Sequence, residues 1–211
     1  AMATVSTTID NTTPEMMKKM GEDVLAMSKI IPKPISELTD GLYDVVSAGI
    51  EASHALTVLK ASGRLGVAGL GTTKEGVDVL TSSINSFSLS AAKSEDIANM
   101  VFKAVKYGKT TVSELAESFG SNSALMKNSN VSLEEYLATT AVLTTTGMSA
   151  SRAQTRVASA VTALIKPSKS MMAILGALGA KDIPLFIKKN GGLVKTLKLV
   201  SDQANKMGIL T

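Results

Sequence analysis

The chain has 211 residues, which is enough for one domain with a sizeable hydrophobic core. It contains no cysteine, which excludes disulfide bonds, thiolate chemistry and zinc–thiolate sites. Only 3% of the residues are aromatic and none is tryptophan, so the core must consist of aliphatic side chains and the 11 methionines.

The net charge of +4 hides an asymmetry between the two ends of the chain. Residues 1–149 carry 12 basic and 16 acidic side chains, whereas residues 150–211 carry 10 basic and 2 acidic ones. A basic end of this kind can meet nucleic acid, anionic lipid or an acidic protein surface, and charge alone does not choose among them.

Hydropathy argues against a membrane-spanning helix. The mean hydropathy is +0.21, yet no uncharged apolar run approaches the roughly 18 to 20 residues that such a helix needs. The longest apolar run, 171–180, is expected to form a buried helix, with later insertion into a bilayer as the alternative. The amino end has no basic patch followed by an apolar core, so no signal peptide is expected.

Apolar periodicity, together with helix-start and helix-stop residues, predicts an all-α fold. Residues 1–12 are expected to lack fixed structure, and Pro14 opens the first helix. Gly120 is expected to stop a short helix, while Asp182 and Pro184 interrupt the chain near its end. The predicted helices span residues 14–29, 35–47, 51–70, 74–88, 92–107, 112–119, 132–146, 150–166, 169–178 and 192–207.

The clearest single unit is a helical hairpin that begins at Ser132 and ends at Pro167. Ser132 is expected to form a capping box with Glu135, in which the serine hydroxyl accepts from the glutamate amide and the glutamate carboxylate returns to the cap amide. Gly147 can take the positive φ that closes the first helix, and Ser149 caps the second. So short a link makes the two helices antiparallel. The apolar stripe of the second helix comprises Ala153, Val157, Ala160, Val161, Leu164 and Ile165.

A similar unit lies 59 residues earlier in the sequence, which indicates that the hairpin is repeated along the chain. At that offset Thr73 corresponds with Ser132, Ser90 with Ser149, Ala104 with Ala163 and Gly120 with Gly179, and the signal lies in the matching cap, turn and stop positions. A weaker similarity begins near residue 35, where Gly49 occupies a position after a predicted helix that is equivalent to that of Gly147. Repeated hairpins bury their faces by stacking, which predicts a small irregular α-solenoid.

The chain is expected to divide into an N-terminal tail and helix, a helical core and a basic C-terminal helical extension, at 1–31, 32–180 and 181–211. Within the core, Gly63, Gly66 and Gly69 fall inside a predicted helix. Each glycine costs about 1 kcal/mol there relative to alanine, so a neighbouring helix packed at short range is expected to offset the cost.

Two motifs could involve nucleophilic or metal chemistry, and each has a simpler structural interpretation. His54 is the only histidine, which excludes a site of several histidines and favours a packing or surface role. Ser90 and Lys93 match the S-x-x-K string of serine acyl-enzymes. No S-D-N or K-T-G element accompanies them, and a capping serine followed by a surface lysine explains the same residues.

Two further motifs are weaker. Gly66, Gly69 and Gly71 lack the preceding strand of a dinucleotide-binding loop. Glu134 and Glu135 are adjacent and point to different sides of a helix, which suits capping rather than acid and base catalysis. The sequence therefore predicts a protein that is not an enzyme, with no catalytic, cofactor-binding or metal-binding residues and no cofactor.

Two surfaces could bind macromolecules. The lysines near the carboxyl end lack aromatic partners for base stacking, so a solvated helix face is favoured over nucleic-acid binding for Lys188, Lys189, Lys195, Lys198 and Lys206. The two end helices carry apolar residues that must either fold back on the core or meet another copy of the chain. These residues are Met16, Met17, Met20, Val24, Leu25 and Met27 at one end, and Leu193, Leu197 and Val200 at the other.

Three runs of the sequence resemble the core region of phage tail tape-measure proteins, also called phage-related minor tail proteins. The runs are LYDVVSAGIEASHALTVLKASGRLGVAG, TTKEGVDVLTSSINSFSLSAAKSEDIANMVFKAVKYGKTTVSELAESFG and VSLEEYLATTAVLTTTGMSASRAQTRVASAVTALIKPS. The resemblance covers roughly residues 36–172, and its most specific pieces lie at 113–120, 131–135 and 147–150.

The sequence departs from the family pattern at two positions. Asn130 stands where the family usually has glycine, and asparagine tolerates positive φ. Gln154 stands where the family often has a small residue, and a long polar side chain disfavours tight helix packing there.

The resemblance implies a structural protein of the virion tail. Such proteins are mostly helical, lie in several copies inside the tail tube, set its length during assembly and leave ahead of the DNA at infection. The implied partners are further copies of the chain, the tail tube, tail-tip or baseplate proteins, tail assembly chaperones and, at infection, the host membrane, with no small-molecule substrate. The implied locations are the tube lumen and, during assembly, the host cytoplasm. The alternative is a helical module that binds nucleic acid or membrane through its basic C-terminal end.

Overall fold

The computed structural model describes residues 2–9 and 12–209, and it confirms the all-α prediction. Twelve α-helices and one 3-10 turn, Ala91–Lys93, form the regular structure of these ranges, which contain no strand. The helices are α1 Met2–Ser6, α2 Pro14–Ser28, α3 Ile35–Ser47, α4 Ala52–Ala68, α5 Thr73–Phe87, α6 Ser94–Tyr107, α7 Val112–Asn128, α8 Leu133–Thr145, α9 Ala150–Ile165, α10 Lys169–Ala177, α11 Ile183–Lys189 and α12 Leu193–Lys206.

Helices α3 to α9 pack in two rows, which we call the body. α3, α5, α7 and α9 contact one another in succession, and so do α4, α6 and α8. α4 also packs along α5, and α8 along α9. One buried apolar cluster runs through the body and continues into the end helices. In a repeat of hairpins, α5 would pack mainly on its hairpin partner α6, but it packs far more extensively on α4. A regular solenoid repeat therefore stays a prediction.

The body depends on close approach at positions without a side chain. A Cβ atom added to Gly76 of α5 would lie 2.4 Å from the Ser62 carbonyl oxygen of α4. One added to Gly69 would lie 2.2 Å from Val112 Cγ2, and the Gly69 carbonyl accepts from the Val112 amide at 2.8 Å. Gly66 would bring its Cβ within 2.6 Å of the Thr72 carbonyl oxygen. The short-range packing expected around the glycines of α4 is therefore confirmed for Gly66 and Gly69, whereas the nearest atom to a Cβ at Gly63 is the end of the Ile31 side chain, at 3.2 Å.

The amino-terminal segment is more ordered than predicted. α1 lies within the stretch expected to lack fixed structure, and Val5 on this helix is fully buried. The helix contacts α2 and α3, so tertiary packing stabilises a helix too short to persist alone. Residues 1, 10 and 11 of that stretch lie outside the described residues.

A second unpredicted helix, α11, forms at the residues that were expected to break the helical structure. Asp182 is its N-cap, and the Asp182 carboxylate accepts from the Leu185 amide at 2.8 Å. Pro184 lies in the first turn, where a missing amide hydrogen breaks no helical bond. The two residues therefore start a helix rather than interrupt one.

The prediction that Gly120 stops a helix is wrong, because α7 continues to Asn128. A Cβ at Gly120 would lie 3.1 Å from Ser82 Oγ of α5, so this glycine serves the contact between the two helices. Three residues further along α7, Ser123 Oγ donates to Ser86 Oγ at 2.8 Å. Small side chains here allow α7 to pack closely on α5.

α7 ends instead at Asn128, and the φ of 55° at Asn130, just after the C-cap, confirms that asparagine takes the left-handed conformation expected of the family glycine. The Val131 amide donates to the Met126 carbonyl at 2.9 Å, and the Asn130 amide donates to the Lys127 carbonyl at 3.0 Å. This pair of bonds is a Schellman motif, which satisfies the last carbonyls of the helix.

The 59-residue correspondence holds at some positions only. Gly49 and Gly147 both have positive φ, 82° and 91°, as the weaker similarity predicted. Ser149 caps α9, but Ser90 makes no side-chain cap and precedes the 3-10 turn. Gly179, with a φ of 68°, follows the end of α10, whereas its supposed equivalent lies inside α7. The correspondence therefore holds for the helix ends at Gly49 and Gly147, but fails for the helix start at Ser90 and for the stop at Gly120.

Of the apolar residues expected to fold back on the core or to meet another copy, all but one are at least partly buried in the end helices. Met20, Val24 and Met27 of α2 are buried, as are Leu193 and Val200 of α12. Leu25 remains 48% exposed. Most of the apolar surface that could have met another copy is therefore covered by the chain itself.

Candidate functional site

The residues that could have carried acyl-transfer chemistry are not brought together. The Lys93 amide donates to the Ser90 carbonyl at 3.0 Å, but across the described structure no hydrogen bond joins the two side chains. Both residues are exposed, and neither lines the groove between α6 and α8 or the two shallower grooves beside Val131 and Asp44. His54 is half-buried in the first turn of α4. Within residues 2–9 and 12–209, no group of acidic or histidine side chains is placed to hold a metal ion.

Three helix starts in the body meet at a cluster of hydrogen bonds, which we call the carboxylate junction. Glu37 of α3 accepts from the Thr73 amide at 2.7 Å and lies 3.2 Å from Lys33 Nζ. Glu75 accepts from the Thr72 amide at 2.8 Å, which completes a capping box at the start of α5. The same Glu75 oxygen accepts from Ser113 Oγ of α7 at 2.7 Å. Two carboxylates thus connect α3, α5 and α7.

The carboxylate junction favours the charged form of both acids. Partial burial, the largest influence, would raise the pKa of the Glu37 carboxyl, but hydrogen bonds from Thr73 and Lys33 and the lysine charge lower that pKa overall. Burial, again the largest influence, would also raise the pKa of the Glu75 carboxyl. Hydrogen bonds from Ser113 and Thr72, together with the charge of Lys33, lower that pKa overall. Sequence reasoning did not identify this cluster, although T-T-K-E is a capping-box signal at the observed cap.

Gln154 joins α9 to α7 in the centre of the body. Its side chain is fully buried, its amide nitrogen donates to the Leu115 carbonyl at 3.0 Å, and its oxygen accepts from Ser118 Oγ at 2.6 Å. α7 and α9 form one of the most extensive contacts in the body. The expectation of loose packing at this position is therefore wrong, because the polar atoms of the long side chain are satisfied.

An apolar groove of about 290 Å³ lies between α6 and α8. Its rim carries two of the most exposed large apolar side chains, Tyr107 at 69% and Val142 at 65%. Lys106 Nζ lies 5.4 Å from the centre of the Tyr107 ring. Glu134 lines the groove as well. The sequence did not predict this groove, because its two walls come from helices that are not consecutive in the chain.

The capping box predicted at Ser132 forms only in part. Ser132 Oγ accepts from the Glu135 amide at 3.1 Å, but the Glu135 carboxylate accepts from the Val194 amide at the start of α12, at 3.0 Å. Gly192 permits this approach, because a Cβ there would lie 2.6 Å from the Glu135 carboxylate. A second bond runs from Asn130 Nδ2 to the Pro184 carbonyl at 3.0 Å.

We call α10, α11 and α12 the C-terminal unit. α12 contacts both α10 and α11, while the extensive contacts of the body are made among its own helices. Six of the unit's lysines are exposed, namely Lys169, Lys188, Lys189, Lys195, Lys198 and Lys206. The apolar run at 171–180 is only partly buried: Ile174 and Leu175 face inward and Met172 is 53% exposed. No helix of the described ranges combines the length and apolarity needed to cross a bilayer.

The comparisons with known proteins agree on one family. The model of the family described as phage-related minor tail protein matches residues 14–209. The chain is also 22% identical, over 186 residues, to the tape measure protein of Pneumococcus phage Dp-1. That alignment covers 88% of this chain and 16% of the relative, so the chain spans a small part of the length of the curated relative it matches. No solved structure matches the chain significantly. Because the family model covers α2 to α12, the chain belongs to the phage-related minor tail protein family.

Proposed function

We propose that the chain is part of a tape measure, the tail protein whose length sets the length of the tail tube and which leaves ahead of the DNA at infection. The observation that carries this proposal is the family match, which spans residues 14–209, from α2 to α12. The all-helical body supports it, because helices can lie end to end along a tube and convert residue number into length.

The proposed partners follow from this role. They are further copies of the chain within the tube, the tube wall, tail-tip or baseplate proteins and, during assembly in the host cytoplasm, tail assembly chaperones. We place the chain in the lumen of the virion tail, without a small-molecule substrate or a cofactor.

The test is a change of chain length in the intact phage protein. Deletion of residues 73–131 removes 59 residues, which correspond to about 90 Å if the protein lies in the tube as extended helix. If the packed rows persist in the tube, the same deletion removes only about 10 to 20 Å, the spacing of one or two helices. Tail length measured by electron microscopy distinguishes extended helix from packed rows. An added copy of residues 132–190 should lengthen the tail by as much as the deletion shortens it.

A length-preserving replacement supplies the control. Exchange of residues 73–131 for a second copy of residues 132–190 changes the sequence but not the residue number. Tails of normal length are expected. A tail that shortens in this variant, or one that keeps its length in the deletion, would contradict the proposal.

A labelling experiment separates the structural role from the alternative of an acyl-transfer enzyme. A serine-reactive probe should leave Ser90 unlabelled, because no base lies within hydrogen-bond distance of its hydroxyl in the described structure. Labelling of Ser90 that disappears in a Lys93→Ala variant would support an enzyme instead.

The second candidate function is a binding module at the basic end. It is favoured by the six exposed lysines of the C-terminal unit. Counterion release makes nucleic-acid affinity fall steeply with salt, and only weak binding to duplex DNA is expected at physiological ionic strength. Micromolar or tighter binding that is lost on neutralising Lys188, Lys189, Lys195 and Lys198 would favour the module.

A further inference from the structure

Asn190 is the one asparagine of the chain that is followed by glycine. The other asparagines all precede a residue with a side chain. This difference matters chemically, because the backbone nitrogen after an asparagine can attack the side-chain amide carbon, and Gly191 places no Cβ in the path of that attack. The pair belongs neither to the carboxylate junction nor to the groove between α6 and α8.

The structure places this pair in the turn between α11 and α12. Asn190 is the C-cap of α11, with a φ of −85°, and Gly191 follows with a φ of 75°. The Gly191 amide donates to the Lys188 carbonyl at 3.2 Å, and Asn190 Nδ2 donates to the Phe186 carbonyl at 2.7 Å. Both bonds are lost when the Gly191 nitrogen attacks, so the reaction starts from an opened turn.

This turn opens at lower cost than the surroundings of the asparagines within helices. α11 has 7 residues and is too short to persist alone, Asn190 is half-buried and Gly191 is exposed. Asn85, Asn99 and Asn122 lie inside α5, α6 and α7. An attack there would require several helical hydrogen bonds of a longer helix to break together.

A cationic group lies beside the nitrogen that reacts. A Cβ added to Gly191 would lie 3.4 Å from Lys195 Nζ, so the lysine side chain extends over this glycine. None of the ion pairs among the described residues includes Lys195. Its ammonium group is therefore placed to stabilise negative charge that develops on the Gly191 nitrogen.

We propose that Asn190 is a site of spontaneous deamidation, in which the Gly191 nitrogen closes a ring on the Asn190 side chain. The nitrogen gives its proton to water and bonds to Asn190 Cγ, the bond between Cγ and Nδ2 breaks, and Nδ2 takes up a proton and leaves as ammonia. Water then opens the succinimide ring at either carbonyl and leaves aspartate or isoaspartate. The net reaction consumes water, releases ammonia and does not depend on the proposed tail-length role.

Deamidation changes the attachment of the C-terminal unit. Either product replaces the Asn190 amide donor with a carboxylate beside the Phe186 carbonyl, at a helix end where negative charge is unfavourable. The isoaspartyl product also lengthens the backbone just before Gly192, where a Cβ would lie 2.6 Å from the Glu135 carboxylate. The bond from the Val194 amide to Glu135 follows directly, so we expect the start of α12 to loosen.

The experiment follows all asparagines in one sample. The folded chain is incubated at mildly alkaline pH, cleaved after lysine and analysed by mass spectrometry, which finds Asn190 in residues 190–195 and Asn205 in residues 199–206. We expect Asn190 to convert at least about tenfold faster than Asn205, a difference in barrier of about 1.4 kcal/mol. Asn190→Gln should abolish the fast conversion, because the larger ring that glutamine would form closes much more slowly.

Two lysine variants test whether the folded turn assists the reaction. Lys195→Gln should slow the conversion about fivefold, as expected for the loss of a unit charge about 4 Å from a developing charge in water. Lys206→Gln removes an exposed lysine at the other end of α12 and should leave the rate unchanged. In urea the effect of Lys195→Gln should disappear, because the turn that positions the ammonium group is lost.

An Asn190→Asp variant reproduces one product and tests its consequence. Amide hydrogen exchange at the start of α12 should be faster in this variant than in the parent, while circular dichroism shows that both are folded. The proposal is overturned if Asn205 converts as fast as Asn190 in the folded chain, if Lys195→Gln leaves the rate unchanged or slows it equally in urea, or if Asn190→Asp leaves the exchange at α12 unaltered.

Discussion

The body and the C-terminal unit begin their helices with similar signals but are attached in different ways. In the body, the Gly76 position of α5 touches the Ser62 carbonyl of α4, and buried Gln154 bonds to α7. The C-terminal unit shares the buried apolar cluster of the body, and its edge adds two polar bonds that water can reach, one donated by Asn130 and one accepted by Glu135. Helices that approach as closely as α4 and α5 admit few residues at the contact, whereas exposed polar bonds at an edge can change at smaller cost.

The largest expected effect tests the close approach in the body. Gly76→Ala would place a Cβ 2.4 Å from the Ser62 carbonyl oxygen, so α4 and α5 must move apart. We expect the free energy of unfolding to fall by about 3 kcal/mol, the upper part of the range for overpacked cores. Thermal unfolding followed by circular dichroism should show a Tm lower by about 6 to 12 °C.

The same substitution in the C-terminal unit is the control. Nothing lies within 4 Å of a Cβ added to Gly176, which is inside α10. Gly176→Ala should raise the free energy of unfolding by about 0.5 to 1 kcal/mol, because alanine favours the helix. Equal effects of the two substitutions would remove the distinction between the regions.

The second prediction concerns the buried amide in the body. Gln154→Ala leaves a cavity and removes the partner of Ser118, and it should cost about 2 to 3 kcal/mol. Gln154→Met keeps most of the volume and removes only the hydrogen bonds, so its cost should be about half as large. Denaturant unfolding of both variants measures the difference. If the methionine variant is as stable as the parent, the bonds to α7 are not what holds α9 in place.

Sequence reasoning succeeded where a signal is local and failed where a residue acts at a distance. Ser149 and Gly147 behave as local rules require, because a cap or a positive φ depends on the few residues around it. Gly120 was misread as a stop, because its role is set by Ser82 on another helix. Asp182 and Pro184 were misread for a different reason: they are a local helix-start pair whose signal was taken as a break.

The candidate site shows the same limit. A carboxylate near a helix start was predicted for Glu135, yet its partner is Val194, 59 residues away in sequence. No periodicity or spacing identifies such a partner, because it depends on how the C-terminal unit docks. The exposure of apolar side chains is equally hard to predict from the sequence. The excess of lysine near the carboxyl end is visible in the sequence, but the exposed positions of Met172 and Leu185 are known only from the structure.

The third prediction tests the attachment of the C-terminal unit. Glu135→Ala removes the acceptor of the Val194 amide and should cost about 1 kcal/mol. Amide hydrogen exchange should accelerate at the start of α12, while α3 to α7 keep their protection. Glu134→Ala is the matched control, because that side chain faces the groove between α6 and α8. Faster exchange throughout the body would mean that the unit and the body unfold together.

The smallest expected effect is the pH dependence of the carboxylate junction. The pKa values of Glu37 and Glu75 are lowered in the folded chain, so both groups contribute stability above their unfolded pKa near 4.5. That contribution is lost as the pH falls through the lower folded values. We expect the free energy of unfolding to decline below about pH 4.5 and the decline to flatten in a Glu37→Gln, Glu75→Gln double variant.

Asp78, close to the same junction, should behave in the opposite way. Burial and then the charges of Asp44 and Glu75 raise its pKa, against the attraction of Lys74. A raised carboxyl pKa costs stability when the group is charged, so Asp78→Asn should stabilise the chain slightly at pH 7 and lose that advantage in acid. Unfolding curves recorded between pH 3 and pH 7 compare the two substitutions on one scale. If Asp78→Asn and the double glutamate variant shift the curve in the same direction at pH 7, then general surface charge, rather than the hydrogen bonds that join α3, α5 and α7, sets the acid response of the body.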